Sequence, residues 1–290
     1  MNSKRCLICK RPNDTIHHHE DKETGHMWLY CVGKCQRGYS LREYCHVAGI
    51  PLVEYLKGDF DFVEAKPLEV NKLEWPASFI SLSDPRANAG VEYLKNRGIN
   101  PQGDIYYDLE REGIVFAYYF QDTFCGAQTR LLKPWTNADG DTTKILTLPG
   151  TRLGMLLFGW NQKAFFTKIS GLIICEGAIN VLSIQQSLNK LYGGILKCPW
   201  KVVATSGAGI SQHQIDKMKE LKDAGIKVVS ALDGDEAGLR GLNKLIKNEA
   251  ITHFALTGDS EKDWNDFLVT EGDNFARFFL NSISSLGITN

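Results

Sequence analysis

The sequence predicts an α/β protein in three parts: an N-terminal cysteine-rich ribbon, a mixed α+β segment, and a mainly parallel sheet flanked by helices. Three observations support this prediction. Two close cysteine pairs occur within the first 35 residues. The alternating strand pattern "GIVFAYYF" follows a short helical pattern in the middle of the chain. Residues 171–256 then alternate between short apolar runs and helical runs, which is typical of a parallel sheet covered by helices.

Composition limits the class of protein. The chain has 290 residues, of which 43% are hydrophobic and 23% charged, as in a globular protein with a sizeable core. Its net charge of −1 gives no overall attraction for nucleic acid, so any such binding must come from local basic patches. We find no apolar run of membrane-spanning length and no signal peptide, and therefore expect a cytoplasmic protein with reduced cysteines.

Four segments follow from changes in composition along the chain. Residues 1–58 are rich in cysteine and histidine, and residues 59–76 are charged, contain two prolines and read as a linker. Residues 77–170 hold the helical pattern "NAGVEYLKNRGI", with Gly98 at its end, and then several strand patterns. Residues 171–290 contain the alternating strands and helices.

The cysteine pairs predict a zinc site in residues 1–58. Cys6 and Cys9 form "CLIC", and Cys31 and Cys35 form "CVGKC". Two close pairs separated by a hairpin-length gap suit one structural zinc ion held by four thiolates. The three histidines at 17–19 lie between the pairs, and we expect them at a solvated hairpin tip. The alternative is that one of them replaces a cysteine as a zinc ligand.

Acidic residues follow two of the predicted parallel strands. "GLIICE" ends in Glu176, and "KVVSALD" ends in Asp233, with Asp235 two residues further on. Asp263 lies in "SEKDWNDFL", after the next strand. Functional groups gather at the carboxyl ends of parallel strands, and clustered carboxylates repel one another unless a cation lies between them. A single acid here is usually a turn or helix-cap residue, but their joint placement favours magnesium, or manganese in its place.

Four motifs resemble, in order, the motifs of the Toprim domain of primases: "ICEGAINVLS", "TSGAG", "ALDGDEAGLRG" and "KDWND". They look most like bacteriophage primases and the primase half of phage primase-helicases. The four-cysteine ribbon resembles the N-terminal zinc ribbon of that family. "GAQTRLLKP" and "LPGTRLGMLLFG" resemble the basic half of its RNA polymerase domain. One departure is Asn180, since the family often has an acid four residues after the glutamate.

The resemblance implies a DNA primase of the DnaG-like family. Such an enzyme copies single-stranded DNA into short RNA primers from ribonucleoside triphosphates during DNA replication. Residues 77–170 would then be the basic subdomain of the RNA polymerase domain, and residues 171–290 its Toprim catalytic subdomain. Glu176, Asp233 and Asp235, together with Asp263, would serve the catalytic metals.

The resemblance also implies partners and a location. The chain has no GxxxxGK[ST] motif, so a replicative helicase would be a separate protein. If the protein is encoded by a phage, its location is the cytoplasm of the host cell.

Basic residues of the middle segment are candidates for binding the triphosphate and the DNA template. They are Arg97, Arg130, Lys133, Lys144 and Arg152. Each one taken alone is more often a solvated surface charge. Arg130 and Lys133 rank higher because they follow an apolar strand inside the segment that resembles primases.

Two other functions remain open at this point. The same acids and metals could cut phosphodiester bonds, as in a Toprim-type metal-dependent nuclease. The chain could also be a non-catalytic DNA-binding replication protein, and Asn180 leaves room for that reading. Nucleotide incorporation, nuclease activity and the effect of replacing the acids distinguish these three functions.

Overall fold

The structure is a computed structural model of the 290-residue chain. It describes residues 16–20, 27–31, 37–40, 44, 72–100, 104–120, 123–136, 142–160, 169–207 and 209–286. The chain divides into two compact units, Met1–Glu69 and Val70–Asn290. None of the helices within the described ranges is long and apolar enough to cross a membrane.

The first unit contains a three-stranded antiparallel sheet in the order β1-β2-β3. Its strands are β1 (Ile16–Glu20), β2 (Met27–Cys31) and β3 (Arg37–Ser40). The prediction of a histidine-bearing hairpin tip is wrong, because the histidines at 17–19 lie inside β1. They pair with Trp28, Leu29 and Tyr30 of β2.

The predicted zinc ligands fall mostly outside the described residues. Cys31 is the last residue of β2. Cys6, Cys9 and Cys35 lie outside the described ranges. The zinc site therefore stays a prediction.

The second unit begins with an antiparallel sheet of five strands in the order β4-β5-β6-β7-β8, which we call the first sheet. The strands are β4 (Phe79–Ser81), β5 (Ile105–Asp108), β6 (Gly113–Phe120), β7 (Thr123–Thr136) and β8 (Thr142–Thr147). Helix α1 (Asn88–Asn96) joins β4 to β5. Gly98 follows this helix with a φ of 66°, a conformation that glycine adopts readily at helix ends.

A second sheet follows in the order β10-β9-β11-β12-β13. Its strands are β9 (Gly171–Cys175), β10 (Trp200–Ala204), β11 (Lys227–Ser230), β12 (His253–Phe254) and β13 (Ser284–Ser285). The helices are α2 (Ala178–Tyr192), α3 (Gln212–Asp223), α4 (Glu236–Lys247), α5 (Trp264–Glu271) and α6 (Phe275–Asn281). All pairs are parallel except the one with β13, which confirms a mainly parallel sheet.

The strands that carry the predicted acids end earlier than the sequence pattern indicates. β9 ends at Cys175, so Glu176 lies just beyond it. β11 ends at Ser230, three residues before Asp233. The backbone N–H of Ala231 still donates to Ile174 at 2.7 Å, after which the chain leaves the sheet and turns into α4.

Central strand β9 is buried on both faces, which explains its unbroken apolar sequence. Leu172 and Ile174 pack into a core with α3 and α4. Ile173 and Cys175 face a second core that contains α2, α5, α6 and residues of the first sheet such as Phe116. The two sheets of the second unit therefore share one hydrophobic core.

A buried glutamine joins the segment that connects the two sheets to the end of β10. Gln214 is fully buried, and its Nε2 lies 3.1 Å from the Leu153 carbonyl, 2.8 Å from that of Leu156 and 3.2 Å from that of Thr205. The segment containing Leu156 continues to Phe158, which exchanges two backbone hydrogen bonds with Ala204 of β10. One side chain thus fixes the connecting segment against the end of β10.

The described end of the predicted linker lies against the first sheet. The Leu73 N–H donates to the Phe124 carbonyl at 3.0 Å. The Trp75 ring packs edge-on against Phe79, Tyr106 and Phe124. Residues 72–76 are therefore attached to the second unit because Trp75 covers an aromatic cluster.

We expect Gln214→Leu to lower the free energy of unfolding by about 1–3 kcal/mol, because it leaves buried carbonyl groups without a donor. Urea denaturation measures this loss. Gln212→Leu is the matched control on the same helix. Gln212 is exposed, and its side chain donates to Asp216 on the surface of the helix. Equal stability of the Gln214 variant and the wild type would contradict this role.

Candidate metal centre

The predicted acids lie where the strand order of the second sheet reverses. β9 leads through α2 to β10 on one side, whereas β11 leads through α4 to β12 on the other side. The adjacent strands β9 and β11 therefore form a topological switch point. Ligands of open α/β sheets bind in the crevice outside the carboxyl ends of the strands at such a point. Glu176 follows β9 and Asp233 follows β11 at this edge.

Glu176 presents a carboxylate oxygen that has no partner in the part of the chain that the structure describes. Its backbone carbonyl accepts the Ser206 N–H at 3.0 Å, which holds the residue beside the turn after β10. Its Oε2 atom is buried and has no hydrogen-bond partner among the described residues. Burial, followed by the nearby Asp235 carboxylate, raises the pKa of Glu176. A buried acceptor without a donor is costly to fold, unless something else binds it.

Asp233 lies in a backbone segment that is fixed from both sides. The indole Nε1 of Trp264 donates to the Ala231 carbonyl at 2.9 Å. Asn180 Nδ2 donates to Asp233 Oδ1 at 2.9 Å. Burial and the charges of Glu176, Asp263 and Asp235 raise the pKa of Asp233 to about 7, although the Asn180 hydrogen bond opposes the shift.

Asp235 and Asp263 are helix caps. Asp235 Oδ1 accepts the Gly238 N–H at 2.7 Å at the start of α4. Asp263 Oδ1 accepts the N–H groups of Asn265 and Asp266 at 2.9 and 3.0 Å at the start of α5. The ordinary reading of a lone acid in this position thus applies to both residues. Both still contribute negative charge at Asp233.

The four acids repel one another without forming a closed metal cage. Within the described ranges, no three His, Cys, Asp or Glu side chains lie close enough to hold a metal ion by themselves. Electrostatic repulsion acts over longer distances than metal coordination, so the acids can repel one another without being close enough to share one ion. Mg²⁺ usually keeps several waters and binds one or two carboxylates together with substrate phosphates. The unpartnered oxygen of Glu176 and the crowded Asp233 carboxylate fit such an open site.

Gly238 lets helix α4 approach the segment that carries Asp233. A Cβ atom at this position would lie 2.0 Å from the Asp233 carbonyl oxygen. Only glycine fits there without moving the backbone. The "AGLRG" part of the motif therefore holds the Asp233 segment against the first turn of α4.

Two of the predicted basic residues meet at Tyr93 of α1. The Arg97 guanidinium lies 5.3 Å from the Tyr93 ring centroid, and Arg130 Nε donates to the Tyr93 hydroxyl at 2.6 Å. Arg97 Nη1 also donates to Asn265 Oδ1 at 2.9 Å. Because Asn265 follows Asp263 by two residues, Arg97 lies beside this end of the acidic edge, and Tyr93 joins Arg130 to Arg97.

The other three predicted basic residues lie elsewhere on the first sheet or after it. Lys133 is exposed in β7 and forms a 3.6 Å ion pair with exposed Glu112. Lys144 is exposed in the edge strand β8. Arg152 is half-buried and immediately precedes a short 3₁₀ turn, Leu153–Met155.

Besides the Arg97–Asn265 hydrogen bond, a polar contact that the sequence did not indicate lies at the turn after β10. Ser206 has a φ of 66°, and its Oγ lies 2.5 Å from the Tyr118 hydroxyl. Tyr118 donates to Gln128 Oε1 at 2.8 Å. This bridge fixes the turn beside Glu176 to strands β6 and β7. The motif "TSGAG" marks the turn, but nothing local in the sequence points to Tyr118.

We expect Asp233→Asn to stabilise the metal-free protein. A carboxyl whose pKa is higher in the folded state destabilises the fold when it is ionised. This cost is absent below the ordinary carboxyl pKa range and complete above about pH 7. We expect a gain of about 1–3 kcal/mol at pH 8, after allowing for partial solvent screening, and no gain near pH 4.

Urea denaturation with a chelator present, at both pH values, measures this gain. Asp223→Asn is the control, since Asp223 is an exposed acid at the end of α3. A destabilised Asp233→Asn protein at pH 8 would contradict the repulsion described above.

We expect Gly238→Ala to destabilise the protein by about 1–3 kcal/mol and to weaken Mn²⁺ binding, because the added methyl group displaces the Asp233 segment. Denaturation and Mn²⁺ titration measure the two effects. Gly209→Ala is the control, because a Cβ atom there meets nothing within 4 Å. If Gly238→Ala binds Mn²⁺ as tightly as Gly209→Ala and the wild type do, the role assigned to Gly238 is wrong.

Comparison with known proteins agrees with this geometry. Residues 173–268 match a family described as Toprim-like. No curated protein matches the sequence significantly.

Solved structures of primases are similar in fold. The DnaG catalytic core matches with a TM-score of 0.51 and 19% identity, over 71% of this chain and 76% of that one. The DnaG primase catalytic domain bound to single-stranded DNA matches with a TM-score of 0.50 and 19% identity, over 72% and 76%. The zinc-binding and RNA polymerase domains of Aquifex aeolicus primase match with 0.50 and 18%, over 95% and 81%. The chain thus carries a Toprim-like domain within the fold of DnaG-type primase catalytic cores.

Proposed function

We propose that the protein is a DNA primase that makes short RNA primers on single-stranded DNA by metal-dependent nucleotidyl transfer. The observation that carries this proposal is the set of mutually repelling carboxylates at the switch point of the Toprim-like domain. Glu176 and Asp233 are the acids best suited to bind a cation directly. The similarity in fold to DnaG catalytic cores supports the same proposal.

Primer synthesis joins the 3′-hydroxyl of one nucleotide to the α-phosphorus of the next and releases pyrophosphate. Magnesium or manganese bound at this edge would lower the pKa of that hydroxyl and offset the charge of the triphosphate. The carboxylates of Glu176, Asp233 and Asp235 would hold these metal ions at the reaction centre. Asp263 caps α5 and adds its negative charge to the site beside Asp233.

The arginines beside Tyr93 suit the binding of phosphate groups. A guanidinium offers several N–H donors in one plane, which matches phosphate oxygens. Tyr93 and Asn265 restrain Arg130 and Arg97 before any ligand binds. We assign these two arginines to the ribonucleoside triphosphate. Lys133, Lys144 and Arg152 are assigned to the DNA template.

The first unit has a proposed role in start-site selection. Zinc held by Cys6, Cys9, Cys31 and Cys35 would stabilise residues 1–58 as a ribbon. Residues 59–76 would link this ribbon to the basic subdomain, 77–170, and the Toprim subdomain, 171–290. The similarity to the Aquifex aeolicus primase, a structure of zinc-binding and RNA polymerase domains, supports this order. A separate replicative helicase and a phage source belong to the same proposal.

Labelled ribonucleotide incorporation on single-stranded DNA of mixed sequence tests the function. We expect short RNA with Mg²⁺ or Mn²⁺ and a loss of about 100-fold or more in Asp233→Ala/Asp235→Ala, since several kcal/mol of charge stabilisation disappear. Asp223→Ala is the control for replacing an exposed acid.

Two results would contradict the proposal. Metal-dependent cutting of DNA without nucleotide incorporation would identify a nuclease. DNA binding that is unaffected by loss of the acids, with no chemistry under any condition, would identify a non-catalytic protein.

A further inference from the structure

Asn180 is buried beside the acids, and both the nitrogen and the oxygen of its carboxamide form hydrogen bonds. Its side chain is 3% exposed and lies in the first turn of α2, four residues after Glu176. Nδ2 donates to Asp233 Oδ1 at 2.9 Å. Oδ1 accepts the backbone N–H of Asn265 at 3.2 Å. The amide therefore joins the acid that follows β11 to the first turn of α5.

These two partners fix which end of the amide faces Asp233. The backbone N–H of Asn265 is shared between Asp263 Oδ1 at 2.9 Å and Asn180 at 3.2 Å, and since it can only donate, the Asn180 atom that faces it is the oxygen. An ionised Asp233 can only accept, so it requires the nitrogen. Rotating the amide by half a turn would place donor against donor and acceptor against acceptor. The orientation is thus set by chemistry on both sides.

This orientation turns the metal-binding atom of Asn180 away from Asp233 while both hydrogen bonds exist. A carboxamide binds a metal ion through its oxygen, because the amide nitrogen has no free lone pair. The oxygen of Asn180 is turned to Asn265, away from Asp233. A carboxylate at position 180 would instead offer oxygens on both sides and would repel Asp233.

We infer that Asn180 is a positioning residue, which holds the Asp233 carboxylate in a fixed rotation for the metal without being a ligand itself. The inference rests on the proposed function only in taking Asp233 as a metal-binding residue. The Asn180 amide is a neutral donor 2.9 Å from Asp233 Oδ1, so it restrains this carboxylate without adding a charge to the site.

Asn265 supports Asn180 and connects it to the basic side of the site. Asn265 is 1% exposed, and its Nδ2 donates to the Arg97 carbonyl at 2.8 Å and to Ser183 Oγ at 2.9 Å. Its Oδ1 accepts Arg97 Nη1. All polar atoms of the Asn265 side chain therefore have partners, which prevents its backbone N–H from moving away from Asn180. A continuous chain of hydrogen bonds runs from Arg97 through two asparagines to Asp233.

Mn²⁺ binding to the full chain tests the inference, with free Mn²⁺ followed by electron paramagnetic resonance. We expect Asn180→Leu, which has nearly the same shape, to weaken Mn²⁺ binding about 10- to 100-fold, as loss of a partner of a ligand typically does. Asn189→Leu, at the other end of α2, is the matched control. Melting curves of both variants show whether each one folds.

Electron–nuclear double resonance on wild-type protein carrying ¹³Cγ-labelled asparagine tests whether the carboxamide touches the metal. We expect no strong ¹³C coupling to bound Mn²⁺, because the Asn180 carboxamide does not touch the metal. Strong coupling that disappears in Asn180→Ser would make Asn180 a ligand and overturn the inference. Unchanged Mn²⁺ affinity in a folded Asn180→Leu protein would also overturn it.

The inference and the proposed function fail in different ways. A wild-type protein that binds Mn²⁺ no better than Asp233→Ala would overturn the metal site and the role of Asn180 with it. Normal Mn²⁺ binding that depends on Asn180, without any primer synthesis, would remove the primase proposal and leave the role of Asn180 standing.

Discussion

Repulsion among carboxylates at the carboxyl edge of the second sheet is the constraint on which this structure depends. Burial and three neighbouring acids raise the pKa of Asp233 to about 7, and Glu176 keeps a buried oxygen that no described residue binds. Such an arrangement opposes folding in the absence of a cation. The protein tolerates it because the surrounding backbone is firmly fixed. A cost retained at one edge of a sheet is typical of a functional site.

Three contacts hold the Asp233 segment in place. Trp264 donates from inside the core to the Ala231 carbonyl, and Asn180 donates to the carboxylate itself. Gly238 allows α4 to pack directly against the same segment. Each contact comes from a different helix. The rigidity of the site therefore follows from the packing of α2, α4 and α5 around the ends of β9 and β11.

The first sheet and the end of α1 contribute to the same site through two polar bridges. Tyr118 reaches Ser206 beside Glu176, and Arg97 reaches Asn265 beside Asp263. Both hydrogen bonds are partly buried, so the two sides of the site cannot move apart without breaking them. This arrangement suits a reaction in which phosphates must lie between arginines and metal-binding acids.

Local pattern predicted the elements but not the contacts between them. Strand "GIVFAYYF" and the mainly parallel sheet follow from periodicity, and the acids follow from their position after apolar strands. Asn265 could not be predicted, because its partner Arg97 is 168 residues away in the sequence. The histidines at 17–19 were misplaced because strand register depends on pairing with β2, which composition does not reveal.

Anomalous diffraction from crystals soaked in Mn²⁺ tests the central claim most directly. The account predicts a manganese peak bound by Glu176 and Asp233, with Asn180 still turned towards Asp233. A peak at another site, or no peak at saturating Mn²⁺ and nucleotide, would contradict the claim that this crowded edge is the metal centre.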